Sequence, residues 1–384
     1  MKKKILFVND EMTMGGVARI LNTLLLNLNR DLYDIDLLVL HKHGELLSEI
    51  PKDINVISGT KFFNTIDVPL KNCKLNNILN KLILLFYMKT GLIHNKIKRE
   101  RKKILNKQYD IEFSAKEGFC TIFVSNGDSK KKINWILVDY KQNNYSKNHM
   151  ALMKNSLKEI DLNIACSKAT KESFSTLFET NNVEILHNLM NQEEIKNLSL
   201  KEDIILDNNK INLICVARFH KQKGLDRLIK AYSKVYEYYN LIIVGDGELK
   251  DELYSLAKSL NVYDKIKWTG ILQNPYPLIR ASDIFVLPSL YEGYATIVIE
   301  SFISQTIVLA LEVSGIKEQI TNDKLGFIID NDDEELLKFL EENKNNKEKF
   351  VKMNKDIENY TYDNDAIIKQ IDEYFKGKEA SHEF

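Results

Sequence analysis

Residues 284–302 read IFVLPSLYEGYATIVIESF. The opening run, 284–287, is short and wholly apolar, as a buried strand is. Pro288 ends it, Gly293 supplies a turn, and a second apolar-periodic stretch begins near Thr296. The segment therefore predicts strand, glycine loop, helix. Glu292 falls in the loop and Glu300 within the helix. Carboxylates accept paired hydrogen bonds from vicinal hydroxyls, as on a ribose or hexose. Backbone N–H groups of Tyr294, Ala295 and Thr296 would lie at the helix start, where a phosphate is favoured. Two glutamates so spaced also suit the acid/base pair of a glycosidase. The cationic loop upstream argues against that, because a glycosidase has no use for a diphosphate site.

That loop follows residues 211–217, another buried-strand run, and carries Arg218 and Lys223-Gly224 just before a helix at 225–236. Taken singly, each cation reads as an ordinary loop charge. Together, at a strand end beside a helix start, they suit a diphosphate. A strand at 241–244 runs into Gly245-Asp246-Gly247, read as a flexible turn, and then a helix at 248–259. Further strands are expected at 266–269, 307–310 and 327–329, with 274–287 as scaffold and an acidic, helix-rich stretch from 330.

The first half repeats the pattern. Strand 5–9 leads through Gly15-Gly16 to a helix at 17–28, and strands follow at 34–40, 55–58, 110–114, 133–138 and 163–165, the last before a helix at 168–178. Such alternation predicts mostly parallel sheets with helices on both faces. Two doubly wound α/β domains are expected, 1–200 and 201–360, with a polar linker at 200–210. Residues 361–384 read as a C-terminal helix and tail that cross back to the first domain. Ligands in such folds sit at the carboxyl ends of the strands.

The charge balance, 54 basic and 54 acidic residues, hides an asymmetry: residues 1–190 hold 29 bases and 20 acids, and residues 191–384 hold 25 and 34. Ten bases and one acid lie in 74–107, where Leu75, Ile78, Leu79, Leu82, Ile83 and Phe86 follow one helix face. This segment is read either as an amphipathic helix packed on the sheet with a solvated basic end, or as a helix pair against an anionic membrane. Nucleic acid is not expected, since no reader motif accompanies the charge. Cys73, Cys120, Cys166 and Cys215 are far apart with no CxxC or CxxH spacing, so neither a zinc ribbon nor a disulfide scaffold is expected and a reducing compartment fits. The apolar run at 82–88 is far short of the roughly 20 residues of a spanning helix. The reading is a cytoplasmic protein whose one candidate membrane contact is 74–107, at the inner face.

Taken in order, Gly15-Gly16, Arg218 with Lys223-Gly224, Gly245-Asp246-Gly247, Asn274-Pro275 and Glu292-Gly293 with Glu300 resemble glycosyltransferase family 4, in its bacterial polysaccharide and glycan branch. Glu117-Gly118, Trp135 with Asp139-Tyr140, 165–168 and His187-Asn188 carry the likeness into the first half. The resemblance implies a GT-B fold, two Rossmann-like domains facing a cleft. It implies a retaining, metal-independent hexosyltransferase whose nucleotide-sugar, most commonly a uridine diphosphate sugar, is a co-substrate, with no cofactor. Arg218 and Lys223 would neutralise the leaving diphosphate and Glu292 would contact the donor sugar. Glu300 would hold the ribose. Gly270, Ile271 and Leu272 would lie along the base, Gly245, Tyr294, Ala295 and Thr296 would line the donor site, and Gly15 and Gly16 would admit the donor phosphate. The acceptor would be a glycan, a lipid-linked sugar or a protein.

Three departures stand out. Related enzymes carry a histidine where this chain has Leu137, and a leucine side chain cannot hydrogen-bond. Residues 301–307 lack the family's usual alanine, glycine and proline, and Leu311 replaces a small polar residue. His149, ten residues past Asp139, reads as a surface residue. Two alternatives stay open: an inactive GT-B subunit that stabilises a partner glycosyltransferase, and a nucleotide-sugar epimerase of the same architecture.

Overall fold

The computed structural model describes residues 2–13, 15–66, 75–140 and 145–377. Cys73, Lys74 at the start of the basic segment, and the tail at 378–384 lie outside these described residues. The chain forms two units, Met1–Leu189 with Asn364–Phe384, and Met190–Asp363.

In the first unit, β1 (Lys3–Asn9), α1 (Gly16–Asn27), β2 (Tyr33–Val39) and β3 (Asn55–Ser58) lead to two consecutive helices, α2 (Ile78–Thr90) and α3 (Ile93–Ile104). Then come β4 (Ile111–Ser114), α4 (Phe119–Ser125), β5 (Lys131–Ile136), α5 (Lys147–Leu157), β6 (Leu162–Ala165), α6 (Lys168–Phe178) and β7 (Val183–Ile185). The second unit runs α7 (Gln192–Ser199), β8 (Ile211–Val216), α8 (Leu225–Val235), β9 (Tyr239–Val244), α9 (Lys250–Ser259), β10 (Ile266–Gly270), α10 (Tyr276–Ala281), β11 (Ile284–Leu287), α11 (Thr296–Ile303), β12 (Val308–Leu311), α12 (Ile316–Gln319), β13 (Gly326–Ile329), α13 (Asp333–Asn343) and α14 (Lys347–Asp356). The last helix, α15 (Asn364–Lys376), belongs to the first unit.

Strand order is β3-β2-β1-β4-β5-β6-β7 in one sheet and β10-β9-β8-β11-β12-β13 in the other. Every described pairing is parallel. Both sheets therefore reverse direction of winding once, between β1 and β4 and between β8 and β11, the doubly wound arrangement expected from the alternation. The reason is visible in the residues. β8 is buried along nearly its whole length, which only a parallel strand covered on both faces can be. On α8, Leu225, Leu228, Ile229, Tyr232 and Val235 are buried at three- and four-residue spacing, so one face packs on the sheet.

The break between units falls at Leu189, earlier than 200, because α7 is tied to the second unit. Asn274 Nδ2 donates to Leu198 O at 2.9 Å, and Gln192 exchanges two hydrogen bonds of 3.1 Å with the backbone of Tyr362. In the first unit α15 is held by Tyr33 Oη donating to Asp372 at 2.7 Å and by Gln370 donating to Ile185 O at 2.8 Å. β7 was not expected from sequence; it has three residues and a central glutamate.

The basic segment folds differently from its predicted face. Lys81 and Leu84 are the buried residues of α2, and the Lys81 ammonium donates to Thr65 O at 2.7 Å and Ile66 O at 3.1 Å. Leu75, Leu79, Leu82 and Phe86 are exposed instead. A lysine whose stem is buried and whose head meets two carbonyls fixes the helix's rotation. On α3, Arg101 is buried and pairs through Nη2 with both oxygens of Glu112 at 2.8 Å, so it is part of the interior and not of the solvated end.

Candidate functional site

In the second unit the predicted residues collect at the carboxyl ends of the strands that flank the sheet's reversal. β8 ends at Val216, and the chain passes through Arg218 to a single helical turn, Lys221–Lys223. β11 ends at Leu287 and enters the loop of Glu292. Lys223 Nζ meets Glu292 Oε1 at 2.6 Å, joining the two loops. Glu292 is buried and also accepts from Ser289 Oγ at 2.7 Å and, weakly, from Gln222 Nε2 at 3.5 Å. Backbone bonds reinforce the pair: Leu290 N–H donates to Gln222 O at 2.8 Å and Gln222 Nε2 to Tyr291 O at 2.9 Å. Sequence reasoning found Lys223 and Glu292 separately but missed Gln222 and Ser289, which hold them. The signal available was position alone, since Gln222 adjoins Lys223 and Ser289 lies three residues before Glu292.

Gly224 makes this approach possible. Its φ is +59°, and a Cβ there would stand 2.1 Å from Pro288 O, inside the other loop's backbone. Gly245 does a related job one strand over: at φ +137° its Cβ would lie 2.0 Å from Ala217 O. Phe219 N–H donates to Asp246 O at 2.9 Å, and Asp246 accepts from Gly247 N–H and Lys250 Nζ, both at 2.7 Å. The Gly-Asp-Gly triplet, expected as a flexible turn, is a packed brace under the Arg218 loop. Gly270 extends the row, its carbonyl accepting from Gly245 N–H at 2.9 Å. Ile271 beyond it is 74% exposed and Leu272 half-buried. Arg218 is exposed, and its guanidinium has no hydrogen-bond or ion-pair partner among the described residues. The loops of β8, β9, β10 and β11 thus line one edge, with a free cation beside a paired one.

α11 starts at Thr296 with Ala295 as its cap and no side chain closing the first turn. Val298 N–H donates to Ala295 O at 3.0 Å, and the amides of Thr296 and Ile297 before it have no side-chain cap. Tyr294 and Ala295 are buried. The Tyr294 phenol lies 3.2 Å from that of Tyr362, and burial raises the Tyr294 phenol well above its ordinary range. Ala295 O accepts from Gln319 Nε2 at 2.8 Å. What these two residues can offer a ligand is backbone. Glu300 lies in the second turn of α11, half-buried. A separate groove of about 580 Å³, lined by Asp226, Arg227, Leu253, Leu256 and Asp333 among others, contains none of the predicted residues.

In the first unit, Gly15 caps α1 in extended backbone, φ −177°, and Gly16 begins the helix. A Cβ on Gly15 would come no closer than 3.9 Å to Thr13 O, and one on Gly16 would meet nothing within 4 Å. The fold itself places no steric demand for glycine at either. Beside them at the reversal of this sheet, Asp10 pairs with Lys116. Glu117 is buried and accepts from Leu137 N–H at 2.9 Å. Burial pushes the Glu117 carboxyl up, and that N–H pulls it partly back. His149, expected at the surface, is half-buried. Its ring stacks on Tyr145 with centroids 4.5 Å apart and lies alongside Gly118, where a Cβ would be 3.8 Å from Cε1. Nε2 is buried without a partner among the described residues, and burial lowers the imidazole's pKa. Cys215, under the Lys223 loop, has its thiol pushed up to about 12 by burial and is an inert core residue. No cluster of three metal-ligating side chains occurs among the described residues, and no described helix is long and apolar enough to cross a membrane.

Two parallel α/β units with this strand order define the GT-B class of fold. Residues 196–364 match the sequence model of the family described as glycosyl transferases group 1, nearly the whole second unit. The chain is 35% identical over 152 residues to an N-acetylgalactosamine-N,N'-diacetylbacillosaminyl-diphospho-undecaprenol 4-alpha-N-acetylgalactosaminyltransferase of Campylobacter jejuni, covering 39% of this chain and 41% of that one. It is 31% identical over 177 residues to an uncharacterized glycosyltransferase of Methanocaldococcus jannaschii, covering 42% and 45%. The chain thus spans less than half the length of these relatives. In three dimensions it resembles HepE of Anabaena, solved in complex with UDP and glucose, at a TM-score of 0.71 and 17% identity, over 98% of this chain and 100% of that one. That last likeness establishes the fold across both units.

Proposed function

We propose that the chain is a glycosyltransferase that moves a sugar from a nucleoside-diphosphate sugar, with uridine diphosphate as the carrier, to a glycan, lipid-linked or protein acceptor in the making of a surface polysaccharide or glycoconjugate. The observation that carries this reading is the Lys223–Glu292 pair at the reversal of the second sheet, inside a group 1 domain, with exposed Arg218 on the same loop. Lys223 and Arg218 would take up the negative charge that develops on the departing diphosphate, the most effective place for fixed cations in such a reaction. The uncapped first amides of α11, at Thr296 and Ile297, would hold phosphate, and Glu300 the ribose hydroxyls. Transfer would proceed with retention and without a bound metal, the leaving phosphate accepting the acceptor's proton. Catalysis then rests on orientation and charge, with no protein nucleophile.

A thermal-shift panel of nucleotide sugars and free nucleotides tests it. A ligand that binds only the native state raises the melting temperature by mass action. A uridine diphosphate sugar is expected to stabilise the protein, and Lys223→Ala to remove that stabilisation. No shift with any nucleotide sugar would overturn the proposal.

A further inference from the structure

The segment between β3 and β4 presents an apolar row that the fold leaves in solvent. Leu75 is 90% exposed, Leu79 68%, Leu82 48% and Phe86 58%. Leu79, Leu82 and Phe86, three and four residues apart, line one side of α2, and Leu75 lies in the short turn just before it. Leu85 beside the line and Leu92 in the turn to α3 are exposed as well. Single exposed leucines need no explanation, but six large apolar side chains within 18 residues make a contiguous patch. The helix cannot roll to cover them without drawing Lys81 off the Thr65 and Ile66 carbonyls.

The exposed charges that follow the row in the chain are all of one sign. Between 75 and 109 the exposed charged side chains are Lys89, Lys98, Arg99, Lys102 and Lys103. Glu100, the one acid in that stretch, is turned inward, where it accepts from Thr60, Lys96 and Lys103 at 2.7–2.8 Å. Lys98, Arg99 and Lys102 follow at positions that share one side of α3.

We propose that α2 and α3 form a docking surface for an anionic lipid bilayer, the leucine row entering the boundary between headgroups and acyl chains and the α3 cations meeting lipid phosphates. A surface-bound helix needs an apolar line with basic residues close by, and both are present here. The charge selects this occupant over others. A second copy of the chain would set the same five cations against one another. A nucleic acid would meet the cations but leave the leucines unburied. The inference does not depend on the sugar-transfer reading.

The test is co-sedimentation of the full chain with vesicles of phosphatidylcholine containing about one-third phosphatidylglycerol, against phosphatidylcholine alone. The protein should bind the anionic vesicles and lose binding as salt rises. Replacing Lys98, Arg99 and Lys102 by serine should weaken binding about fivefold per residue. Leu79→Ser with Leu82→Ser and Phe86→Ser should weaken it about a hundredfold. All six positions are exposed, and circular dichroism melts of each variant check the fold. Equal binding by wild type and both variants would overturn the proposal, as would equal binding to neutral vesicles. Self-association that the leucine variant abolishes, without lipid binding by the wild type, would replace it with an interface between copies. Binding of the basic patch to a single-stranded oligonucleotide but not to vesicles would replace it with a nucleic-acid surface. Donor turnover in solution should be the same in wild type and both variants, which separates this outcome from failure of the transferase assignment.

Discussion

Lys223→Ala separates a structural ion pair from a catalytic one. Lys223 Nζ and Glu292 Oε1 are 2.6 Å apart, with side-chain exposures of 27% and 8%. Removing one member of a fully buried pair costs about 3–5 kcal/mol, and a surface pair about 0–1. Here the lysine is partly solvated and Glu292 keeps the Ser289 hydroxyl at 2.7 Å, so the loss of stability should be about 1–2 kcal/mol. If the cation acts where charge develops in the transition state, as proposed, the loss in turnover should be larger, about a hundred- to a thousandfold. Glu292→Gln keeps the side chain's shape and the Ser289 contact while freeing the ammonium. Measured with the double variant, the two changes should be non-additive in stability, with a coupling of about 1 kcal/mol or more. The assays are urea unfolding and release of nucleoside diphosphate from the donor that the thermal-shift panel selects. If Lys223→Ala loses stability as stated yet keeps turnover within about threefold, the pair is scaffold and the charge-neutralising role fails.

The glycines give a contrasting pair. Gly224→Ala should destabilise by about 3 kcal/mol, from the left-handed backbone and the 2.1 Å approach to Pro288 O, whereas Gly16→Ala, with nothing within 4 Å, should unfold at the wild-type urea midpoint. Glu100 supplies a pH signature. Burial raises its carboxyl, but the hydrogen bonds from Lys103, Lys96 and Thr60 together outweigh that and bring it from 4.5 down to about 2. A carboxylate lowered on folding stabilises fully above its unfolded value and loses that contribution as pH falls towards the folded one. With Lys103 59% exposed and solvent screening that pair, about 2 kcal/mol should be lost between pH 4.5 and 2, and the difference between wild type and Glu100→Gln in urea midpoints against pH should vanish over that window. Leu137→His should leave kcat/KM for the donor undiminished; a large fall would mean that the leucine itself belongs to a reorganised pocket.

Both units were readable as strand–helix alternations because the central strands of a parallel sheet are unbroken apolar runs. Residues 284–287 and 55–58 match their strands to the residue, and other ends differ by one or two. Less legible was anything that depends on which strands become neighbours. Lys223 and Glu292 lie 69 residues apart in sequence, and nothing local announces their contact. It follows from the order β9-β8-β11, which sets the ends of β8 and β11 side by side. The same holds for Gly245, whose glycine is needed only because the Ala217 carbonyl comes from the adjacent strand's loop. α2 misled for a different reason. A helix apolar on several sides has no unique inward face by periodicity, and the residue that decides is the one polar side chain with buried partners, Lys81.

Leu137 shows how a departure in sequence can leave a contact intact. Its side chain offers no hydrogen bond, so the missing imidazole reads as a lost function. In the fold, however, Leu137 packs a buried side chain and gives its backbone N–H to the buried Glu117 at the carboxyl end of the first sheet. Any residue other than proline supplies that group. The substitution therefore changes what position 137 can offer a ligand without unsettling how the loop is held. The arrangement proposed to take the donor, Lys223 with Glu292 and the exposed Arg218, lies wholly within the second unit and is assembled by residues that the change does not touch.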